Sequence, residues 1–370
     1  MTIDEMLTIA MERKASDLHL KVGNYPHLRI DNDLVPLTEY PRINPEEMLN
    51  MAFGIMTNRQ KQKLKENSEL DMAYGIAGIG RFRVNIFQQR GNIGIVMRVI
   101  PTKIASLPEL NLPPVVGRIC DETRGLVLVT GITGSGKSTT LASMIDSINS
   151  SRAEHIITIE DPIEFLHRDK KGIINQREVE IDTSSFASAL RASLRQDPDV
   201  ILVGEMRDLE TIATALHAAE TGHMVFSTLH TLDAVETINR IVGIFPQTEQ
   251  KQIRLQLAAT LRAIISQRLV ARAGGPGRVP AIEVMIVTSY VRECITVPEK
   301  TSQIRELIAA GGSQYGMQTF DQSLFGLLKS GLISLQTALE NASNPDDFNL
   351  KLAGISSSGD PARDQMAGIG

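Results

Sequence analysis

The chain has only two cysteines and no tryptophan. Cys120 and Cys294 are far apart in the 370-residue sequence, with no other thiol near either one. Two isolated thiols can build neither a four-cysteine zinc site nor a disulfide framework. The sequence therefore excludes a small domain stabilised by such a zinc site or by disulfides. We predict that both cysteines are buried thiols.

Long apolar stretches are also absent. No run of about 18 apolar residues occurs, which excludes an ordinary membrane-spanning helix. The first residues, Met1–Glu5, lack the basic segment and apolar core of a secretion signal. We therefore expect the chain to stay in the cytoplasm.

Positive charge is not in excess, because the formal net charge is −5 and the pI is near 5.9. A surface of this charge has no net attraction for polyanions, and no series of aromatic residues offers a base-stacking platform. We expect no nucleic-acid partner. The remaining composition, 42% hydrophobic and 22% charged, is that of a globular protein with enough apolar residues for more than one core.

Residues 1–100 have the pattern of a small α+β domain. The residue spacing predicts a helix at 3–13, strands at 17–22 and 27–30, a helix at 45–67, and a hairpin over 82–99 with its turn at Gly91–Gly94. The following segment, residues 101–116, is rich in proline and predicts an ordered linker.

Residues 117–288 alternate between apolar, strand-like runs and helical patterns. The predicted strands are Leu126–Thr130, Ile156–Glu160, Val200–Gly204 and Met224–Leu229. This alternation is typical of an α/β domain with a parallel-rich sheet covered on both faces. A longer helix is predicted over residues 248–270, residues 289–343 are expected to be helical, and residues 344–370 are expected to form a mobile tail.

The segment Gly131–Ser138 fits the pattern G-x-x-x-x-G-K-[ST] and lies between a predicted strand and a predicted helix. In such a loop, glycines let successive backbone N–H groups converge on phosphate oxygens, the lysine neutralises phosphate charge, and the serine ligates Mg²⁺. A flexible surface loop is the alternative, but a chance match is expected in only about one per cent of chains of this length. The residues predicted to contact ATP are Thr133, Gly134, Ser135, Gly136, Lys137, Ser138 and Thr139.

Carboxylates follow two of the predicted strands. Glu205 ends the strand at 200–204, the position that places a carboxylate beside the Mg²⁺ of a phosphate-binding loop. Glu160 and Glu164 flank the end of another strand, and one of them could activate the attacking water. Any one of these acids alone could be a solvated loop residue, but acids at two strand ends favour a catalytic site.

Histidines and arginines add further candidates. His230 follows the predicted strand at 224–229 on its carboxyl side, where ligands bind in such sheets, so we favour it as a γ-phosphate contact. A lone histidine is more often a structural hydrogen-bonding residue. Arginines on the N-terminal domain and near residue 195 could stabilise phosphoryl-transfer charge across a subunit boundary, although most surface arginines serve solubility.

Taken together, these motifs resemble one family. The matching segments, in order, are Ala15–Leu20, Gly131–Ser138, Ile159–Phe165, Gly204–Asp208, Thr228–Thr231 and Gln314–Thr319. They resemble the secretion ATPases of type II and type IV pilus systems, and among these the retraction ATPases of type IV pili. The resemblance covers roughly residues 1–340.

The resemblance implies a PAS-like N-terminal domain and a RecA-like ATPase domain, assembled as a homohexamer with nucleotide between subunits. It also implies Mg²⁺-dependent ATP hydrolysis that drives pilus retraction and twitching motility through a platform protein of the inner membrane. The resemblance makes Glu164 the general base with Glu160 as the fallback, and it places Glu205 on the Mg²⁺ side. Arg81, Arg195 and Arg207 fall where such rings present arginines to phosphates or interfaces.

Two differences within the family bear on the subtype. The long N-terminal extension and four-cysteine metal site usual in assembly ATPases are missing, which favours retraction. The segment Tyr290–Val297 keeps Arg292, but Thr296 stands where retraction enzymes have a second arginine. An accessory ATPase, which could share a ring with a paralogue, and a nucleotide-gated binding protein with little turnover therefore stay open as alternatives.

Overall fold

The computed structural model describes residues 2–31, 33–101 and 103–352. The chain divides into two compact units after Lys103, and the short segment Glu164–Leu166 groups with the first unit. In the described part of the chain, no helix has the length and apolar character needed to cross a bilayer.

The first unit is built on one antiparallel sheet, with strands in the order β3-β2-β1-β6-β5-β4. Its elements are α1 (Ile3–Glu12), β1 (Asp17–Lys21), β2 (His27–Ile30), β3 (Asp33–Pro36), α2 (Pro45–Gly54), α3 (Asn58–Asn67), β4 (Glu69–Ile76), β5 (Gly80–Gln89) and β6 (Asn92–Ile100). The predicted helix at the N-terminus and the predicted hairpin are confirmed. The predicted turn at Gly91–Gly94 is placed too late, because β6 already begins at Asn92. The hairpin turns at Arg90 and Gly91, whose φ angles of 48° and 76° suit a tight turn.

The single helix predicted over residues 45–67 is wrong. The structure has two helices there, because the Thr57 hydroxyl accepts a hydrogen bond from the Gln60 backbone N–H and begins a new helix. The Gln60 side chain in turn accepts the Thr57 N–H at 2.8 Å. This reciprocal capping gives α3 its own start just after α2 has ended.

The second unit contains a mostly parallel sheet in the order β13-β12-β7-β11-β10-β8-β9, in which only β13 pairs antiparallel. Its elements are α4 (Val115–Cys120), β7 (Gly125–Thr130), α5 (Lys137–Ser151), β8 (His155–Glu160), β9 (Ile173–Glu178), α6 (Phe186–Ser193), β10 (Val200–Val203), α7 (Leu209–Glu220), β11 (Met224–Leu229), α8 (Ala234–Gly243), α9 (Gln250–Thr260), β12 (Leu261–Ala271), β13 (Arg278–Ile286), α10 (Ser289–Thr296), a 3₁₀ helix (Pro298–Gln303), α11 (Ile304–Ala310), α12 (Gly312–Tyr315), α13 (Phe320–Lys329), α14 (Leu335–Asn341) and α15 (Pro345–Leu352).

Helices cover both faces of this sheet. The central strands β7, β10 and β11 are buried along their whole length, as their continuous apolar sequences require. One face packs against α4 and α5, and the other packs against α6, α7, α8 and α9. The predicted α/β class, with a small domain before the parallel-rich sheet and helices after it, is confirmed. Both cysteines are buried free thiols, as predicted.

The long helix predicted over residues 248–270 is wrong, because α9 ends at Thr260 and the chain continues as β12. Leu261 already has an extended backbone, with φ −63° and ψ 133°. The following residues pair in parallel with β7 and antiparallel with β13, so they are buried on both faces of the sheet. A strand buried in this way lacks the strict alternation of apolar and polar residues that would distinguish it from a helix.

Two further predictions need correction at the ends of segments. The last two residues of the predicted linker are helical, because α4 begins at Val115. The predicted mobile tail is wrong for Pro345–Leu352, which form α15 and bury Phe348 against Phe325 with ring centroids 6.3 Å apart. Residues 353–370 lie outside the described residues.

The outer strand β13 is partly covered by the chain itself. Gln318 forms an isolated antiparallel bridge with Val284, in which each backbone N–H donates to the other residue's carbonyl. The two hydrogen bonds are 2.8 and 3.2 Å long. The chain thus places a bridge residue against this edge of the sheet before α13 begins.

Candidate functional site

The glycine-rich loop lies at the carboxyl end of β7, between β12 and β11. Gly136, with φ 89°, is the N-cap of α5, and no side chain caps this helix. The first amide N–H groups of α5 therefore face outward with no acceptor from a capping side chain. Such a helix end attracts anions through its N–H groups and its dipole.

Lys137 folds back over the loop. Its Nζ donates to the carbonyl oxygens of Gly131 at 2.8 Å and Ile132 at 3.1 Å. Burial lowers the pKa of Lys137, while the negative charge of Glu205 opposes this effect. The electrostatic influence of Glu205 on Lys137 connects the phosphate loop with the end of β10, which lies two strands away from β7 in the sheet.

Polar atoms of the loop itself are also suited to binding a phosphate group. Ser135 Oγ is buried and has no hydrogen-bond partner among the described residues. The other predicted phosphate-contacting residues lie on this loop and on the first turn of α5: Thr133, Gly134, Ser138 and Thr139. Hydroxyl and amide donors around a lysine suit a polyphosphate, and Mg²⁺ in such sites takes few protein ligands.

Glu205 is the centre of a charged cluster at the carboxyl end of β10. Arg207 Nε lies 2.6 Å and His230 Nε2 lies 3.2 Å from the same oxygen, Oε1 of Glu205. The Glu205 side chain is 17% exposed and that of Arg207 is 76% exposed. The hydrogen bond and charge of Glu205 raise the pKa of Arg207. The structure thus brings three predicted site residues into direct contact.

This cluster lines an open cavity of about 610 Å³ at the ends of β10 and β11. Glu236 and Arg240 of α8 form part of its wall. Sequence reasoning did not single out these two residues, because an exposed charge pair on a helix is ordinary. His223, at the opposite end of β11, instead hydrogen-bonds the Ala218 carbonyl at 3.0 Å.

Glu160 ends β8 and is held by polar neighbours. Its Oε1 accepts hydrogen bonds from Thr158 Oγ1 at 2.6 Å and from Gln176 Nε2 at 3.1 Å. Glu164 groups with the first unit, where its Oε1 lies 3.9 Å from Nη1 of Arg83. Glu160 and the glycine-rich loop therefore both lie in the second unit, whereas Glu164 groups with the first by its contacts.

The three predicted arginines lie in different places. Arg207 contacts Glu205. Arg195 follows α6, and its Nη1 donates to the Arg191 carbonyl at 3.4 Å. Arg81 lies on β5 of the first unit, in register with Gly75 and Ile100.

Sequence reasoning missed two buried polar residues on β12, because it assigned their segment to a helix. Ser266 Oγ accepts a hydrogen bond from Thr130 Oγ1 at 2.9 Å, directly before the phosphate loop. Its neighbour Gln267 also reaches the loop. The consecutive polar residues Ser266, Gln267 and Arg268 within the otherwise apolar segment 263–270 were the available signal.

A parallel sheet that presents this lysine-bearing loop and a strand-end carboxylate at one edge defines a P-loop nucleotide-binding protein. Comparison with known proteins gives the particular family. Residues 1–315 match the family of type II/IV secretion system proteins. The chain belongs to this family, and it is an ATPase.

Individual relatives extend over nearly the whole chain. The type IV pilus retractation ATPase PilT of Pseudomonas aeruginosa is 48% identical, covering 94% of this chain and 100% of that protein. The type IV pilus ATPase PilU of the same organism is 39% identical, with 95% and 91% covered. A crystal structure of the pilus retraction motor PilT with bound ADP superposes with a TM-score of 0.86 at 49% identity, covering 94% of this chain and 98% of that one.

Proposed function

We propose that this chain is a Mg²⁺-dependent, ATP-hydrolysing motor that powers type IV pilus retraction and twitching motility. The observation that carries the proposal is the contact of Arg207 and His230 with Glu205, at the same sheet edge as the phosphate loop. A carboxylate held this way beside a P-loop is suited to phosphoryl transfer. Similarity to a named pilus retraction ATPase over 94% of the chain supports the biological role.

In this proposal, each residue of the site has a separate task. Lys137 exchanges its hydrogen bonds to the carbonyls of Gly131 and Ile132 for the β- and γ-phosphates of ATP, whose charge it neutralises. Ser138 and Glu205 would hold Mg²⁺, directly or through water, and the ion would offset the charge of the phosphates. His230 contacts the γ-phosphate side from the next strand end.

For the attacking water we keep Glu164 as the general base and Glu160 as the alternative. Glu160 already accepts two hydrogen bonds at Oε1, which hold its side chain in place and occupy that oxygen. Among the described residues, Glu164 has Arg83 as a distant ion-pair partner at 3.9 Å, so its carboxylate is the easier one to turn toward water. Exchanging each glutamate for glutamine separates the two assignments.

We further propose a homohexamer with nucleotide bound between subunits, located in the cytoplasm and docked on the inner-membrane platform protein of the pilus. The arrangement of the arginines supports the need for another copy. Arg195 is directed at its own helix end, and Arg81 lies on the other unit. An arginine supplied by a neighbouring subunit can accelerate phosphoryl transfer by about 10³- to 10⁵-fold.

Phosphate release by the purified full-length chain tests the enzymatic half of the proposal. We expect Mg²⁺-dependent release from the wild type and none above background from Lys137→Ala or Glu164→Gln. Glu340→Gln, which changes an exposed glutamate on α14, is the matched control and should keep wild-type turnover. A wild type without turnover would favour the nucleotide-gated binding protein.

Observation of single pili in a strain that lacks the gene tests the biological half. We expect retraction to stop and twitching to be lost, with both restored by the wild-type gene but not by the Lys137→Ala gene. Retraction that persists without the gene would make this chain an accessory ATPase working beside a paralogue. The higher identity to the retraction ATPase, 48% against 39% for the second pilus ATPase, favours the main motor.

A further inference from the structure

Gln267 lies on β12, and its buried side-chain amide contacts the phosphate loop from the β12 side. Its residue is 1% exposed, within a strand that is otherwise largely apolar. Gln267 Nε2 donates to the Ser135 carbonyl at 2.6 Å, and its Oε1 accepts the Thr140 hydroxyl at 2.9 Å. One side chain therefore ties the loop and the first turns of α5 to the sheet.

The bond to Ser135 has a direct consequence for the loop. In a trans peptide, the carbonyl oxygen and the following N–H point in opposite directions. Because Gln267 holds the Ser135 carbonyl on the β12 side, the Gly136 N–H is directed away from β12. A backbone N–H in this part of a P-loop is one of the groups that bind phosphate.

Two glycines of the loop make room for Gln267. A Cβ on Gly131, where φ is 141°, would lie 2.4 Å from the backbone oxygen of Gln267. A Cβ on Gly136 would lie 3.0 Å from Gln267 Nε2. By contrast, a Cβ on Gly134 would meet no atom within 4 Å. Glycine at these positions of the motif therefore leaves space for Gln267 as well as for the nucleotide.

We propose that Gln267 is a positioning residue of the nucleotide site, which orients the Ser135–Gly136 peptide for phosphate binding before the nucleotide arrives. The proposal rests on nucleotide binding by the P-loop and goes beyond it, because Gln267 lies outside the motif and on another strand. A preoriented donor improves affinity, since its ordering cost has already been met in folding. The amide does this through its N–H, and its bond to Thr140 only steadies the side chain.

The test compares Gln267→Met with Thr140→Val in the full-length chain. Methionine keeps the length and volume of glutamine but loses both hydrogen bonds, whereas Thr140→Val removes only the bond to α5. We expect the Kd for ADP, measured by calorimetry, to rise at least tenfold in Gln267→Met and less than threefold in Thr140→Val. The KM for ATP should rise in parallel with this Kd, and kcat should change less than threefold.

Several results would overturn the proposal. One is wild-type ADP affinity in Gln267→Met. Another is an equal loss of affinity in both variants together with an equal fall in Tm, which would make Gln267 a general structural support. If Gln267→Met does not fold, Gln267→Glu replaces it, because glutamate can accept from Thr140 but cannot donate to Ser135. Wild-type ADP affinity in that variant would equally contradict the proposal. Failure of the wild type to bind ADP would overturn the nucleotide site itself.

Discussion

At the scale of single residues, two side-chain nitrogen atoms approach one oxygen of Glu205. Arg207 and His230 both approach Oε1, at 2.6 and 3.2 Å. Arg207 is largely exposed, so the pair contributes little to folding stability. The geometry of the Arg207–Glu205 pair is better explained by a need to hold the Glu205 carboxylate in place or to present the Arg207 guanidinium to phosphate.

We therefore expect Arg207→Gln to lower ATP turnover at least about tenfold, as the loss of a transition-state charge partner does. The Tm should stay within about 2 °C, because an exposed ion pair is worth less than about 1 kcal/mol. Phosphate release and thermal melts measure the two effects. Arg191→Gln is the matched control, since Arg191 forms an exposed ion pair with Glu210 and should affect neither quantity. Wild-type turnover in Arg207→Gln would contradict this role.

A buried carboxylate sets a dependence of stability on pH. Glu283 on β13 accepts the Ala234 N–H at 3.0 Å, at the start of α8. Burial raises the pKa of Glu283 from 4.5 to about 7; Asp233 also raises it, while Arg305 and Arg268 lower it. The folded state therefore binds more protons than the unfolded state between these values, and stability falls as pH rises through about 7.

Glu283→Gln should remove this dependence, because glutamine still accepts the Ala234 N–H and carries no charge. We expect the variant to gain stability over the wild type as pH increases from 5 to 8, by up to about 3 kcal/mol at about 1.4 kcal/mol per pKa unit. Urea denaturation at a series of pH values measures this difference. Glu340→Gln serves as the exposed control. A difference between Glu283→Gln and the wild type that is constant with pH would refute the assignment.

At the scale of elements, the sequence predicted most of the central strands and the loop between them. β11 was predicted to the residue, and β7, β8 and β10 within one residue, because short apolar runs between helical patterns are typical of buried parallel strands. β12 was lost because its apolar run directly follows α9 without a glycine or proline. The Gln267 contact was lost with it, since a residue assigned to the wrong element has the wrong neighbours.

The site residues show the same limit. The motif spacing selected the loop and Glu205 as candidates, but no pattern could predict that Arg207 and His230 share one oxygen of Glu205. That contact depends on the order of β10 and β11 in the sheet, which is a long-range property. The unit to which Glu164 belongs likewise follows from tertiary contacts alone.

The last described helix, α15, should stabilise the second unit. Phe348 is 2% exposed and belongs to a cluster with Val270 of β12 and Phe320 of α13. We expect Phe348→Ala to cost about 3 kcal/mol or more, the usual range for a buried phenylalanine. Leu350→Ala, at a residue 42% exposed on the same helix, should cost less than about 1 kcal/mol. Urea denaturation measures both, and equal costs would mean that α15 does not pack as described.

At the scale of the whole molecule, the two units have separate hydrophobic cores. One core consists of residues from Ile3 to Met97, and the other clusters begin at Leu112. The phosphate loop lies entirely in the second unit. Binding of nucleotide to this loop should therefore act first on the stability of the second unit.

Calorimetry with ADP can test this separation. At a ligand concentration of 100 times Kd, we expect the transition of the second unit to gain about 2.7 kcal/mol, which raises its Tm by a few degrees. Lys137→Ala should abolish the gain because it removes the lysine of the loop. A Tm increase in that variant equal to the wild-type increase would place ADP somewhere other than the loop.

The bridge between Gln318 and Val284 also affects how readily copies of the protein aggregate when they are close together. Open strand edges offer unpaired N–H and C=O groups to any other chain, and identical chains held side by side meet such edges at high local concentration. Gln318 pairs with the backbone groups of Val284 within the same chain. These groups therefore cannot pair with a strand of another copy and extend the sheet. The protein can then associate through its folded surfaces without aggregating through this edge.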